Sequence, residues 1–185
     1  MGTTKRAVRV ARGLCALGVG FSAITAMTVS AAGSATSVGS SGSLTRYDNP
    51  YANGTANPIE EGAEARVHAI EDASGRTIVT LHVSGLPANR PFGSHVHLLA
   101  CGDNKAGGHY QNDPGTGHDH ANAANEVWLD FETNAAGNAT AKATVDWTFR
   151  ANGANAVVIH DRHTTHGDPG AGTAGAKLAC LDVDF

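Results

Sequence analysis

Positive charge is scarce in this chain: 13 lysines and arginines stand against 17 aspartates and glutamates, a formal charge of −4 over 185 residues. Four of the cations, Lys5, Arg6, Arg9 and Arg12, precede an apolar, small-residue run from Gly13 to Val29 that closes on Val29-Ser30-Ala31. A basic start, an apolar middle and a small-residue end are the form of a cleavable export signal, so residues 1–31 are expected to be a signal peptide and the protein to be secreted, extracellular or periplasmic. Read as a membrane anchor instead, the run is barely long enough to cross ~30 Å of hydrocarbon, and Gly18, Gly20 and Ser22 interrupt it. No membrane insertion is expected once the signal is removed. Without it nine cations face 17 anions, a charge of −8, which disfavours a nucleic-acid or anionic-membrane partner.

Cysteine is also rare. Of the three, Cys15 lies in the signal and follows Leu14 rather than a small residue, which argues against lipid attachment. Cys101 and Cys180 remain. In an oxidising compartment they read as one disulfide rather than a metal pair, with two buried free thiols as the alternative.

Helical periodicity is missing too. From about Glu61 the apolar residues fall into short runs, 65–70, 77–83, 93–99, 127–131, 139–147, 156–160 and 177–183, separated by turn sequences such as Asp72-Ala73-Ser74-Gly75 and Asn134-Ala135-Ala136-Gly137. Seven short strands and no convincing helix predict an all-β domain over residues 61–185, a Greek-key β-sandwich or flattened eight-stranded β-barrel. Trp128, Trp147 and Phe149 have strand spacing and are expected in its core. Residues 32–60 are mostly Gly, Ser, Ala, Thr and Asn and are expected to form a flexible leader. Two loops, 101–125 and 161–176, are too long and too polar to be mere connections, which marks them as functional or disordered, and both are rich in histidine.

What the chain has in plenty is histidine. Eight of its ten histidines lie at or after position 95, as His95 and His97, His109, His118 and His120, and His160, His163 and His166. Two residues apart on a strand, His95 and His97 face the same side and can grip one ion. His109 follows Gly107-Gly108 on a loop whose glycines permit close approach, and His160 closes the apolar strand Val157-Val158-Ile159. Singly, each is as well explained as a hydrogen-bonded rim residue. Together, four histidines at strand ends of one small sandwich point to a metal.

The pieces Gly93-Ser94-His95-Val96-His97, Cys101, Gly107-Gly108-His109-Tyr110, Val157-Val158-Ile159-His160 and Gly172-Thr173-Ala174-Gly175-Ala176-Lys177-Leu178-Ala179-Cys180 occur in the order of the copper/zinc superoxide dismutases. Residues 61–185 resemble that family. The resemblance implies that His95, His97, His109 and His160 ligate copper, that Cys101 and Cys180 are the family's disulfide pair, and that superoxide is the substrate. A set of four imidazoles also suits Cu(II) on chemical grounds.

The departures are specific. The family's zinc site does not recur: no histidine lies between Ala121 and Arg150, so zinc is uncertain, since it wants four ligands in a closed site. The chain is more similar to a copper-only branch, in which a glutamate hydrogen-bonds the histidine matching His109; Glu126 is the candidate, an ordinary solvated charge being the alternative. Lys177 stands where the family has an arginine that guides the anion, and it keeps the charge without the planar fork. His118, His120, His163 and His166 have no family counterpart and form a candidate second metal site, or are exposed loop residues. The expected function is copper-dependent dismutation of superoxide with His109 as proton carrier, Lys177 as guide and Glu126 behind His109. The alternative is a copper-buffering sandwich with little turnover. The oligomeric state is not legible.

Overall fold

The structure, a computed structural model, describes residues 35–48, 50–116 and 119–185. The expected signal peptide lies outside these residues, as does His118. Among the described residues nine strands form two antiparallel sheets: β1 (Thr36–Ser43), β2 (Thr45–Arg46), β3 (Glu64–Glu71), β4 (Thr77–Ser84), β5 (Pro91–His97), β6 (Phe131–Glu132), β7 (Ala139–Val145), β8 (Ala156–His160) and β9 (Lys177–Asp182). One sheet has the order β1-β3-β4-β7 and the other β2-β9-β8-β5-β6. The pairs β4–β7 and β5–β8 join strands distant in sequence, which is how a Greek-key chain closes a sandwich. Among the described residues the helical content is a single 3-10 turn, Asn104–Ala106.

The four-stranded sheet follows the period-2 rule. Ala65, Val67 and Ala69 of β3 and Val79, Leu81 and Val83 of β4 are buried, while Glu64, Arg66 and His68 face solvent. Its inner face packs on Phe92 and Val96 of β5, Val157 and Ile159 of β8 and Leu178 and Leu181 of β9. The five-stranded sheet departs from the rule: β5 is buried from Phe92 to His97 and β8 along its whole length. Its outer side is covered by the two long loops, and Cys101 and Ala106 of the first join Tyr47, Ala156, Val158 and Cys180 in a second small core beside the outward histidines. Gly93 shows how closely the second loop lies: a Cβ there would sit 2.6 Å from the Arg162 carbonyl oxygen and 2.7 Å from Ala174 Cβ. No larger residue fits at that position.

The Cys101–Cys180 pair is a disulfide with a Cα separation of 5.7 Å. It ties the loop that carries His109 to β9.

Two expectations need correction. The described part of the segment 32–60, expected as a flexible leader, is built into the fold: β1 pairs with β3 over eight residues, and Ile59 is fully buried. Backbone pairing needs no apolar side chains once β3 supplies the surface, and a few anchors suffice. Asn57 donates from Nδ2 to the carbonyls of Tyr47 and Leu178, at 3.0 and 2.8 Å, and Tyr47 Oη donates to the Cys101 carbonyl at 3.0 Å. The run 127–131 is strand only at its end. Trp128 meets His95 in an isolated bridge and is half-buried beside the histidines rather than in the core.

Candidate metal centre

Strand alternation and one backbone bridge assemble the histidines. His95 and His97 leave β5 on its outer face, His160 ends β8 beside them in register with Gly93, and His109 is brought in because its backbone bridges His97. The ligand nitrogens of His95, His97, His109 and His160 all lie within 4.8 Å of one another. Three of these side chains are buried and the fourth, His109, is 19% exposed. The centre thus opens to solvent on the His109 side.

The hydrogen bonds decide which nitrogen each ring presents. Thr164 Oγ1 lies 2.5 Å from Asp130 Oδ1 and 2.7 Å from His95 Nε2. A carboxylate only accepts, so the threonine donates to Asp130 and accepts from His95 Nε2–H. His95 Nδ1 is left as a buried lone pair with no partner. His97 Nδ1 donates to the Gly107 carbonyl at 3.1 Å, His160 Nδ1 faces the Gly175 carbonyl at 3.5 Å, and His109 Nδ1 donates to Glu126 Oε2 at 2.8 Å. By the same logic all three turn an unprotonated Nε2 inward. Two of these, on His97 and His160, approach to 3.2 Å. Four converging lone pairs, one of them otherwise orphaned, are what a cation that prefers imidazole requires.

Electrostatics favours the neutral, ligating form of the buried rings. Burial, followed by the charges of the neighbouring histidines, lowers His95 well below its ordinary value. The same causes bring His97 to about 2 and, for His160, burial followed by the charge of His109 brings it to about 3.

Glu126, only 2% exposed, sits behind His109. Its Oε2 accepts from His109 Nδ1 and from Trp128 Nε1, each at 2.8 Å, and its Oε1 accepts from Gln111 Nε2 at 2.9 Å. Burial pushes its carboxyl up, but the hydrogen bonds and the charge of His109 outweigh that and hold it below the usual carboxylate range.

The remaining sequence expectations fare differently. Lys177 engages the loop that carries His109: its Nζ donates to the Lys105 carbonyl at 2.8 Å and to the Gly107 carbonyl. The turn at 104–106, which presents the Lys105 carbonyl to the lysine ammonium, has positive φ throughout. Burial, then the charge of Lys105, lowers the Lys177 ammonium. Lys177 therefore shares the Gly107 carbonyl with His97, and its charge is among the causes that lower His97 and His160.

Of the candidate second metal site, His118 lies outside the described residues and the other three histidines are held apart. His120 Nδ1 faces the Asp113 carbonyl at 3.1 Å, His163 Nε2 the Phe131 carbonyl at 3.0 Å, and His166 stacks edge-on to Trp128 with ring centres 4.9 Å apart. Among the described residues these three join no shared ligand group. Sequence reasoning missed Thr164, Asp130, Trp128 and Gln111. Only Asp130, a lone acid interrupting an apolar run, left a trace.

An antiparallel sandwich whose outer face carries a buried cluster of four histidines that could hold a metal ion, stapled by a disulfide to the loop that completes it, is a protein of the superoxide dismutase type. The copper/zinc superoxide dismutase family model matches residues 63–181, and the chain belongs to that family. Two solved structures share the fold: a SOD-like protein from Bacillus subtilis, 16% identical over 80% of this chain and 97% of that one (TM-score 0.51), and the clock protein EA4, 18% identical over 80% and 92% (TM-score 0.53). A double mutant of the Bacillus subtilis protein is similar at 17% identity over 80% and 96% (TM-score 0.52). No curated protein matches the chain in sequence.

Proposed function

We propose that the protein is an exported, copper-dependent superoxide dismutase with copper on His95, His97, His109 and His160. The observation that carries this is the buried, unpartnered His95 Nδ1 facing the Nε2 atoms of three further histidines, inside a chain that belongs to the dismutase family. Copper held there would supply one-electron exchange between its two oxidation states. Two superoxide anions and two protons would give one dioxygen and one hydrogen peroxide.

The chain's own residues do the rest. Thr164, backed by Asp130, fixes the tautomer of His95, and Gly107 and Gly175 do the same for His97 and His160. Glu126 holds the proton of His109 at Nδ1, so His109 Nε2 is the atom that can take up and release a proton on the solvent side. Export is supported by the basic and apolar N-terminal pattern and by the disulfide. Where the family has its zinc, Glu126 occupies the position behind His109, and we read the centre as holding copper alone.

The test is a superoxide consumption assay on purified protein loaded with copper, with zinc, and with both. Activity with copper that zinc does not raise supports the reading; none with any loading refutes it. A second reading, copper storage with little turnover, is favoured by one observation, the engagement of Lys177 with backbone carbonyls. Tight copper binding without dismutation would establish it.

A further inference from the structure

Trp128 does not serve the core that its strand spacing predicts; its ring lies half-buried beside the histidines. We propose that Trp128 is a positioning residue of the metal centre: its indole N–H fixes the Glu126 carboxylate against His109, while its ring flanks His95. The inference rests on the copper reading above and names the group that holds the carboxylate behind His109.

The backbone puts the indole there. Val96 N donates to the Val127 carbonyl at 3.4 Å and Leu129 N to the Ser94 carbonyl at 2.7 Å, which makes His95 and Trp128 a non-hydrogen-bonded antiparallel pair. Side chains of such a pair leave on one face and lie closest together. The two ring centres are 6.1 Å apart and inclined at 59°. From that position Trp128 Nε1 donates to Glu126 Oε2 at 2.8 Å, and the same oxygen accepts from His109 Nδ1 at 2.8 Å. One indole therefore bears on two ligands, on His95 through its ring and on His109 through the carboxylate. His166, from the second long loop, stands edge-on against the same ring.

Packing alone would need no donor, since a phenylalanine ring could flank His95. The N–H matters because two donors on Oε2 set its direction better than one, with Gln111 holding the other oxygen. A hydrogen bond to an ionised acceptor is roughly twice as strong as one between neutral groups. The bond from Trp128 is also one of those that outweigh burial and keep Glu126 below the usual carboxylate range. The chain's other tryptophan has a different partner: Trp147 Nε1 donates to the Ala124 carbonyl at 2.7 Å, a neutral acceptor.

The experiment is a double-mutant cycle on copper affinity, read by chelator competition, with Trp128→Phe and Glu126→Gln. Phenylalanine keeps a ring beside His95 and removes the donor. Trp128→Phe is expected to weaken copper binding ~3- to 10-fold in the unaltered background and less than ~2-fold in the Glu126→Gln background, where the acceptor is already neutral. Equal losses in the two backgrounds, or no loss in the unaltered one, overturn the proposal and leave the copper reading standing. A second measurement leaves Trp128 intact and holds even if Trp128→Phe does not fold. In NMR spectra of the apo protein, Glu126→Gln should move the Trp128 indole proton upfield and leave that of Trp147 nearly in place. A Trp128 resonance that does not move, or moves no more than that of Trp147, overturns the proposal. Failure of the unaltered protein to take up copper overturns both readings.

Discussion

Glu126→Gln removes one charge and keeps the shape of the side chain. As a carboxylate, Glu126 accepts three hydrogen bonds, two on Oε2 from His109 and Trp128 and one on Oε1 from Gln111. An amide offers a single acceptor atom. With its oxygen toward His109 and Trp128, its NH2 confronts Gln111 Nε2, and Gln111 cannot turn without giving up the bond from Gly115 N to its Oε1. Two bonds then fall from charge-assisted to neutral, a change of ~1 kcal/mol each, and one donor pair is left opposed. Against this, a buried charge no longer has to be desolvated, so apo stability should change by less than ~2 kcal/mol. The effect should appear in metal binding instead, because the negative charge that raises the basicity of His109 is gone. Loss of a carboxylate behind a ligand histidine typically costs 10- to 100-fold in metal affinity, about 1.4 to 2.7 kcal/mol. Competition against a copper chelator measures this, with thermal unfolding of the apo protein as the control. A copper affinity within twofold of the unaltered protein, in a variant of unchanged apo stability, would refute the reasoning.

Three further outcomes are expected. His95→Ala and His160→Ala should each lose tight copper binding, because three imidazoles cannot complete the four-nitrogen set; retention of stoichiometric copper by either would remove that residue from the centre. Cys101→Ser with Cys180→Ser opens a loop spanning 79 residues in sequence and should lower unfolding stability by up to ~4.5 kcal/mol, as chemical denaturation would register; an unchanged midpoint would contradict it. Burial, followed by the charge of Asp182, raises the Tyr47 phenol to about 12. The folded protein therefore holds that proton more tightly than the unfolded chain, whose tyrosines titrate near 10. Stability should be intact below pH 10 and decline as the pH rises from 10 to 12; Tyr47→Phe should show a smaller decline there, and an identical alkaline profile would argue against the coupling.

Which parts of this architecture could be read from the sequence follows from how locally each is encoded. β3, β4 and β8 announce themselves by period 2 or by a bounded apolar run, and the structure places them within a residue of expectation. His95 and His97 are legible for the same reason, since strand alternation alone puts them on one side. The 36–59 segment was not legible. β1 has almost no apolar content, and what orders it is the backbone edge of β3, a partner lying more than twenty residues away. Lys177 illustrates the opposite limit: its charge is plain in the sequence, but the carbonyls that capture it come from a turn 70 residues earlier. Thr164 and Asp130 belong to different loops and meet only over His95. Nothing local marks them as a pair.

The central claim is a single copper on four imidazole nitrogens. Electron paramagnetic resonance of the protein loaded with one equivalent of Cu(II) tests it most directly. The account predicts one tetragonal species with superhyperfine coupling to four nitrogens, and its disappearance in His160→Ala. A spectrum with oxygen donors in the plane, or one unchanged in His160→Ala, would contradict it.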